Sequence, residues 1–323
     1  MSVPPRVSVA LPLYNEAAGI PELLRRVGAA LDRTPGGPHE IVVVDDGSTD
    51  ATLARLEAAA AIDDRLIVVS LSRNFGHQAA LTAALDQVSG DVTVVMDGDL
   101  QDPPELIPQF LEHYAKGYDV VYAQRTHRKE AWWLRLSYYL FYRVFRRLSN
   151  VSVPVDAGDF GLMSRRVVEQ LRLVPERHRF LRGLRSWVGF RQVGVAVERG
   201  ERQTGKSKYG VRRLLGLAAD GVFAFSIVPI RAAALLGAVA ILVATAFALY
   251  ALYAKLALRQ SPQGFTALIV VITFLSGVNL LFLGIVGEYV GRVYEEVKRR
   301  PVYVVGRIIR RSAPPPPPVP PPR

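Results

Sequence analysis

The chain has 323 residues, half of them hydrophobic, and no cysteine, so disulfides, thiolate metal sites and cysteine nucleophiles are excluded and a reducing compartment is favoured. Its 40 Lys+Arg against 29 Asp+Glu give a formal charge of +11, a balance that suits nucleic acid, an anionic membrane or a phosphorylated substrate. Much of the excess flanks two long apolar stretches, which favours the membrane and argues against nucleic acid.

Residues 7–12 (VSVALP) read as a first strand. The run is too short for a signal peptide and leads straight into Tyr14-Asn15-Glu16, so the polar part of the chain is expected in the cytoplasm. Helical spacing follows over 22–31. Ile41-Val42-Val43-Val44 is a continuous apolar run ending in Asp45-Asp46-Gly47-Ser48, as in a strand buried on both faces of a parallel sheet. Thr49 or Asp50 can cap the next helix, over 51–61. Residues 66–70 form a third strand, 78–88 a helix and 92–96 a fourth strand. Strands alternating with helices predict an α/β sheet with ligands at the carboxyl ends of its strands, where Asp46 and Asp97 fall.

Further along, residues 132–149 (WWLRLSYYLFYRVFRRLS) interleave aromatic and aliphatic residues with Arg135, Arg143, Arg146 and Arg147, the pattern of a helix lying in a membrane interface. A second such helix is expected over 209–225, leading into the membrane. Residues 232–253 and 265–286 are apolar stretches long enough to cross a bilayer. The connector between them holds Ser261-Pro262-Gln263-Gly264, a turn signal. Arg212, Arg213 and Arg231 precede the pair. Arg292, Lys298, Arg299, Arg300, Arg307, Arg310 and Arg311 follow it, whereas the connector carries only Lys255 and Arg259. The bias puts both flanks in the cytoplasm. The expected organisation is a catalytic domain over 1–210, a juxtamembrane helix over 211–231, two membrane helices within 232–290, a cytoplasmic segment over 291–311 and a disordered proline-rich tail over 312–323.

The chemistry gathers at Asp97-Gly98-Asp99-Leu100-Gln101. Two carboxylates one residue apart at a strand end can both reach a hard cation, Mg2+ or Mn2+, which can bridge to a diphosphate. Gly98 is expected to leave room for a ligand beside the backbone. A cation there offsets the charge that develops on a nucleotide leaving group. Alone, an Asp-x-Asp turn is a weak signal.

Four segments taken together are specific: Leu11-Pro12-Leu13-Tyr14-Asn15-Glu16, Val43-Val44-Asp45-Asp46-Gly47-Ser48-Thr49-Asp50, Ser72-Arg73-Asn74-Phe75-Gly76-His77 and Asp97-Gly98-Asp99-Leu100-Gln101-Asp102-Pro103. In this order they resemble family 2 inverting glycosyltransferases of the GT-A fold (nucleotide-diphospho-sugar transferases, Rossmann-like). Asp156-Ala157-Gly158-Asp159-Phe160, Gly205-Lys206-Ser207-Lys208-Tyr209 and the two spans narrow this to the polyprenyl-phosphate branch, similar to dolichyl-phosphate mannose synthases and bacterial undecaprenyl-phosphate sugar transferases. The resemblance implies a nucleotide-sugar pocket of Pro12, Tyr14, Glu16, Asp46 and Asp97. It also implies a metal held by Asp97, Asp99 and Gln101, and lipid or donor phosphates bound by Arg125, Arg202 and Lys206. Asp159 and Asp99 would be catalytic, Asp159 lying near the anomeric carbon as a base or an orienting group. Blander roles compete: Tyr14 in the core, Glu16 or Asp159 capping a helix, and the basic run over 199–208 meeting anionic lipid. His77 reads as structural or as a hydrogen-bond donor.

The expected reaction is transfer of one sugar from a nucleotide-sugar, such as UDP-glucose, to polyprenyl phosphate. UDP-N-acetylglucosamine, a modified UDP-pentose and GDP-mannose remain open as donors. Because a phosphate acceptor is already anionic, alignment and leaving-group stabilisation matter more than a base. A processive polysaccharide synthase of the same superfamily is disfavoured by having only two spans and no Gln-x-x-Arg-Trp motif. A non-catalytic membrane scaffold is disfavoured by the intact acidic site. Family precedent implies a homo-oligomer, a tetramer, with the segment after Arg300 packing on a neighbour.

Overall fold

The computed structural model describes residues 4–125, 157–177, 179–197, 228–257 and 264–311. The expected interfacial helix at 132–149 lies outside them, as do most of the juxtamembrane segment, Arg202, Lys206 and the proline-rich tail. The described residues fall into two units, one built on a sheet and one on two long helices.

The sheet unit begins with β1 (Val7–Leu13), α1 (Ile20–Asp32), β2 (Glu40–Asp45), α2 (Thr52–Ala60), β3 (Leu66–Leu71), α3 (His77–Gln87) and β4 (Val92–Val95). Every residue of these four strands is buried, as expected of a parallel sheet covered on both faces. β1 pairs in parallel with β2 and β4, and β2 with β3. This reproduces the predicted elements to within a few residues. The cap of α2 differs in detail: Ala51 stands at the N-cap position, and Asp50, one residue earlier, accepts from the Thr52 N–H at 2.9 Å.

Then come α4 (Ile107–Ala115), β5 (Val120–Arg125), β6 (Ala157–Ser164), α5 (Arg165–Leu173), α6 (Leu181–Trp187) and β7 (Gln192–Val197). β6 is antiparallel to both β4 and β5, and β5 is parallel to β7. The last strand, β8 (Val305–Ile309), pairs antiparallel with β3 and completes the order β7-β5-β6-β4-β1-β2-β3-β8. The segment after Arg300, expected to lie on a neighbouring protomer, is thus a strand of the chain's own sheet. The physical reason is β3: as the last parallel strand it presents an open row of backbone donors and acceptors, and β8 satisfies them.

The second unit holds α7 (Val228–Ala257) and α8 (Phe265–Val297). Both are longer than the predicted spans: residues 228–231 open α7, and α8 runs on through Glu288, Arg292, Glu295 and Glu296. Within them Ala233–Tyr250 and Phe274–Val297 are long and apolar enough to cross a membrane, with mean hydropathies of 2.3 and 1.5. Leu235, Leu242, Phe247, Phe274, Leu280 and Leu283 are all exposed, the reverse of a buried core helix.

Candidate active site

The carboxyl ends of β1, β2 and β4 and the first turn of α3 bring the four sequence motifs together. Asn15 (φ 52°) ties the first to the second: its N–H donates to Ser48 Oγ at 2.9 Å, and its Oδ1 accepts from the Thr49 N–H at 2.9 Å. Tyr14, just beyond β1, is exposed and available for stacking, not core. Pro12 is buried within β1 opposite Val44. Glu16 precedes a single 3-10 turn without capping it through its side chain.

Asp46 ties the second motif to the third. Its Oδ1 accepts from the Phe75 N–H at 2.7 Å and its Oδ2 from the Gly76 N–H at 2.9 Å. Burial raises its pKa, and the two backbone donors oppose that rise. Gly47 (φ +65°) lies against this loop so closely that a Cβ would meet the Arg73 carbonyl carbon at 2.4 Å. The Asp-Asp-Gly sequence is therefore partly architectural: Asp46 holds the Arg73–His77 loop, and Gly47 lets it approach.

At the end of β4, Asp97, Gly98 and Asp99 are half-buried and Leu100 is buried with φ 55°. The Asp99 Oδ1 accepts from the Gln101 N–H at 3.2 Å. The expectation that Gly98 makes room for a ligand is corrected: a Cβ there would lie 2.0 Å from Leu13 Cδ2, so the glycine accommodates the buried Leu13 side chain. Burial pushes Asp97 up to about 6; His77 opposes this, while Asp159, Asp99 and Asp102 add to it. Such crowding of negative charge fits a hard cation. Among the described residues no three His, Asp or Glu side chains form a ready-made metal cage. Two carboxylates that leave the remaining positions to water and diphosphate match the way Mg2+ is commonly held.

β6 brings Asp159 to the same place. It is not the cap of α5; that position is Ser164. Instead Arg182 of α6 grips it with both arms of the guanidinium, Nε to Oδ1 at 2.7 Å and Nη2 to Oδ2 at 2.9 Å. Although burial opposes ionisation, Arg182, His77 and Arg185 hold the Asp159 carboxyl far below the usual carboxylate range. His77 Nε2 lies 3.7 Å from Asp97 Oδ1 and 3.9 Å from Asp159 Oδ2, between the two carboxylates. Arg185, one turn along α6, is buried, donates to the Gly158 carbonyl at 3.3 Å and stacks 5.2 Å from the Tyr122 ring centre. Arg125 ends β5. Sequence reasoning did not single out Arg182 or Arg185, while His77, read as structural or as a hydrogen-bond donor, stands beside both carboxylates. The available signal was the Arg-x-x-Arg spacing on a short helix, which puts both cations on one face.

A buried parallel α/β core that gathers an Asp-Asp-Gly turn, an Asp-Gly-Asp turn and a further carboxylate at one end defines a GT-A-type sugar transferase. The family model for glycosyl transferase family 2 matches residues 8–172, and the chain belongs to that family. It is 40% identical over 299 residues to an uncharacterised glycosyltransferase, YkcC, of Bacillus subtilis, covering 92% of both chains. It is 38% identical over 301 residues to the SfII prophage-derived bactoprenol glucosyl transferase of Shigella flexneri, covering 93% of this chain and 97% of that one. With the undecaprenyl-phosphate 4-deoxy-4-formamido-L-arabinose transferase of Pseudomonas paraeruginosa it shares 39% identity over 315 residues, covering 94% and 90%.

Proposed function

We propose that this protein is a membrane-bound transferase that moves a single sugar from a nucleotide-diphospho-sugar to polyprenyl phosphate, with inversion at the anomeric carbon. One observation carries the reading. The likeness to the bactoprenol glucosyl transferase of Shigella flexneri spans 93% of the chain, so it takes in the apolar helices as well as the sugar-transferase domain. A soluble acceptor would give those helices no task, whereas a lipid phosphate confines the acceptor to a membrane surface. The pair is read as a hairpin across the cell membrane with the sheet unit cytoplasmic.

In this reading a lone pair of the lipid phosphate oxygen attacks the anomeric carbon from one face. The carbon–oxygen bond to the nucleoside diphosphate breaks on the other, and the bonding electrons leave with the diphosphate. Tyr14 stacks on the base, and Pro12, Glu16, Asp46 and Asp97 are assigned to the nucleotide-sugar pocket. Asp97, Asp99 and Gln101 would hold Mg2+ or Mn2+, which when bound supplies positive charge to the diphosphate. Asp159 orients and need not take a proton, because the phosphate nucleophile is already ionised. Arg125, Arg202 and Lys206 are assigned to phosphate binding. A UDP-sugar is the favoured donor and a homo-oligomer the favoured assembly.

The test is a donor screen with purified protein, polyprenyl phosphate and either cation, read by mass spectrometry of the lipid product. One sugar per lipid is expected, and polymer would favour a processive synthase. Asp99→Ala should reduce cation-dependent transfer by at least 100-fold, about 2.7 kcal/mol of transition-state stabilisation, with membrane insertion unchanged. Undiminished transfer by that variant would remove Asp99 from the site.

A further inference from the structure

The grip on Asp159 is part of a closed ring of contacts among three elements. On α3, His77 faces Asp159, and the next residue, Gln78, accepts through Oε1 from the Leu181 N–H at 3.1 Å. On α6, Leu181 opens the helix, and the next residue, Arg182, holds Asp159. Adjacent residues on α3 and on α6 thus tie the two helices to each other and to Asp159 of β6. Arg185 secures α6 from below through Gly158, the residue before Asp159. The Arg182–Asp159 pair itself is well shielded, with side-chain exposures of 30% and 10%. A planar fork on a carboxylate fixes its plane as well as its distance, which an ammonium cannot do.

We propose that Arg182 is a positioning residue of the transfer reaction, fixing the plane of the Asp159 carboxylate against His77 at the edge of the Asp97–Asp99 cluster. The proposal rests on the reading of the chain as a sugar transferase with Asp159 in its site. Both Asp159 oxygens already accept from Arg182, so the carboxylate is arranged to orient its neighbours, not to collect a proton. Arg182 acts through Asp159, and its loss should leave donor binding intact while spoiling the alignment on which displacement depends. Misplacement by about 1 Å costs on the order of 100-fold in rate.

The experiment compares Arg182→Gln, Arg182→Lys, Asp159→Asn and the double variant Asp159→Asn/Arg182→Gln in the lipid-transfer assay, with the unsubstituted protein alongside. Arg182→Gln should lower kcat about 100-fold with donor KM within about threefold, and Arg182→Lys should recover only part of the loss. The double variant should fall no further than Asp159→Asn, because both changes remove one arrangement. If Arg182→Gln merely unfolded the protein, its loss would multiply with that of Asp159→Asn, and that outcome overturns the proposal. So does a kcat within threefold of the unsubstituted protein. If the unsubstituted protein transfers no sugar from any donor, the transferase reading falls, and the assignment with it.

Discussion

Glu40, at the start of β2, makes the fold sensitive to acid at a single residue. Its Oε1 accepts from Ser8 Oγ at 2.6 Å and from the Ser89 N–H at 2.5 Å; its Oε2 accepts from Ser89 Oγ at 2.8 Å and from Arg6 Nη2 at 2.8 Å. Burial alone would raise its pKa, but these donors lower it below the ordinary 4.5. A carboxylate depressed in the folded state contributes stability above its unfolded pKa and loses it as pH falls through the folded value. Glu40→Gln should therefore destabilise the protein at pH 7 by about 2–3 kcal/mol, the order expected for hydrogen bonds to a charged group. The gap to the unsubstituted protein should close below about pH 4.5. Thermal unfolding in detergent across pH checks this; a gap that stays constant would assign the cost to shape instead of charge. Nothing in the local sequence announces this network, since its other members stand 32 to 49 residues from Glu40. The same holds for Arg182, which is 23 residues from Asp159. By contrast the placement of Asp46, Asp97 and Asp99 at strand ends was legible, because a carboxylate just after an apolar run marks a strand's carboxyl end.

Among the elements, β1 to β4 could be read because short, largely apolar runs rich in Val, Ile and Leu and bounded by polar segments admit few other structures. β5 to β8 escaped for physical reasons. β6 (AGDFGLMS) carries two glycines and an aspartate, poor strand formers placed by the pairing of β4 and β5 on either side. Gly161 is required there, since a Cβ would lie 2.5 Å from the Val121 carbonyl oxygen. β8 (VGRII) is five residues long and follows two membrane-type helices, so only the open edge of β3 gives it a partner. The surrounding strap adds side-chain ties: Tyr303 Oη donates to Asp86 at 2.6 Å, Arg311 pairs with Asp64 at 2.6 Å, and Arg307 pairs with Glu57. A chain ended after Arg300 would leave the backbone of β3 unpaired, a template for association between copies. It should run as aggregate on size exclusion in detergent, whereas a chain ended after Arg311 should behave like the full protein. Monodisperse behaviour of the shorter chain would mean that β8 is dispensable to the sheet.

For the whole molecule, the sheet order constrains how the chain meets a membrane. β7 precedes α7, and β8 follows α8, yet both strands belong to one eight-stranded sheet. A sheet cannot be divided by a bilayer, because interrupted pairing would strand its polar groups in hydrocarbon. The number of crossings between β7 and β8 is therefore even, which agrees with two spans. This agrees with the basic residues after the pair, Lys298, Arg299, Arg300, Arg307, Arg310 and Arg311, and with the sparse charge of the connector. Backbone pairing and charge asymmetry, two different kinds of physics, both support the proposed hairpin. Alkaline phosphatase, active only outside the cytoplasm, should be active when fused into the connector at residues 258–263 and inactive when fused after Arg311. A fluorescent protein should give the reverse pattern. Phosphatase activity at both fusion points would require an external sheet unit, and the catalytic reading would then need a nucleotide-sugar on the wrong side of the membrane.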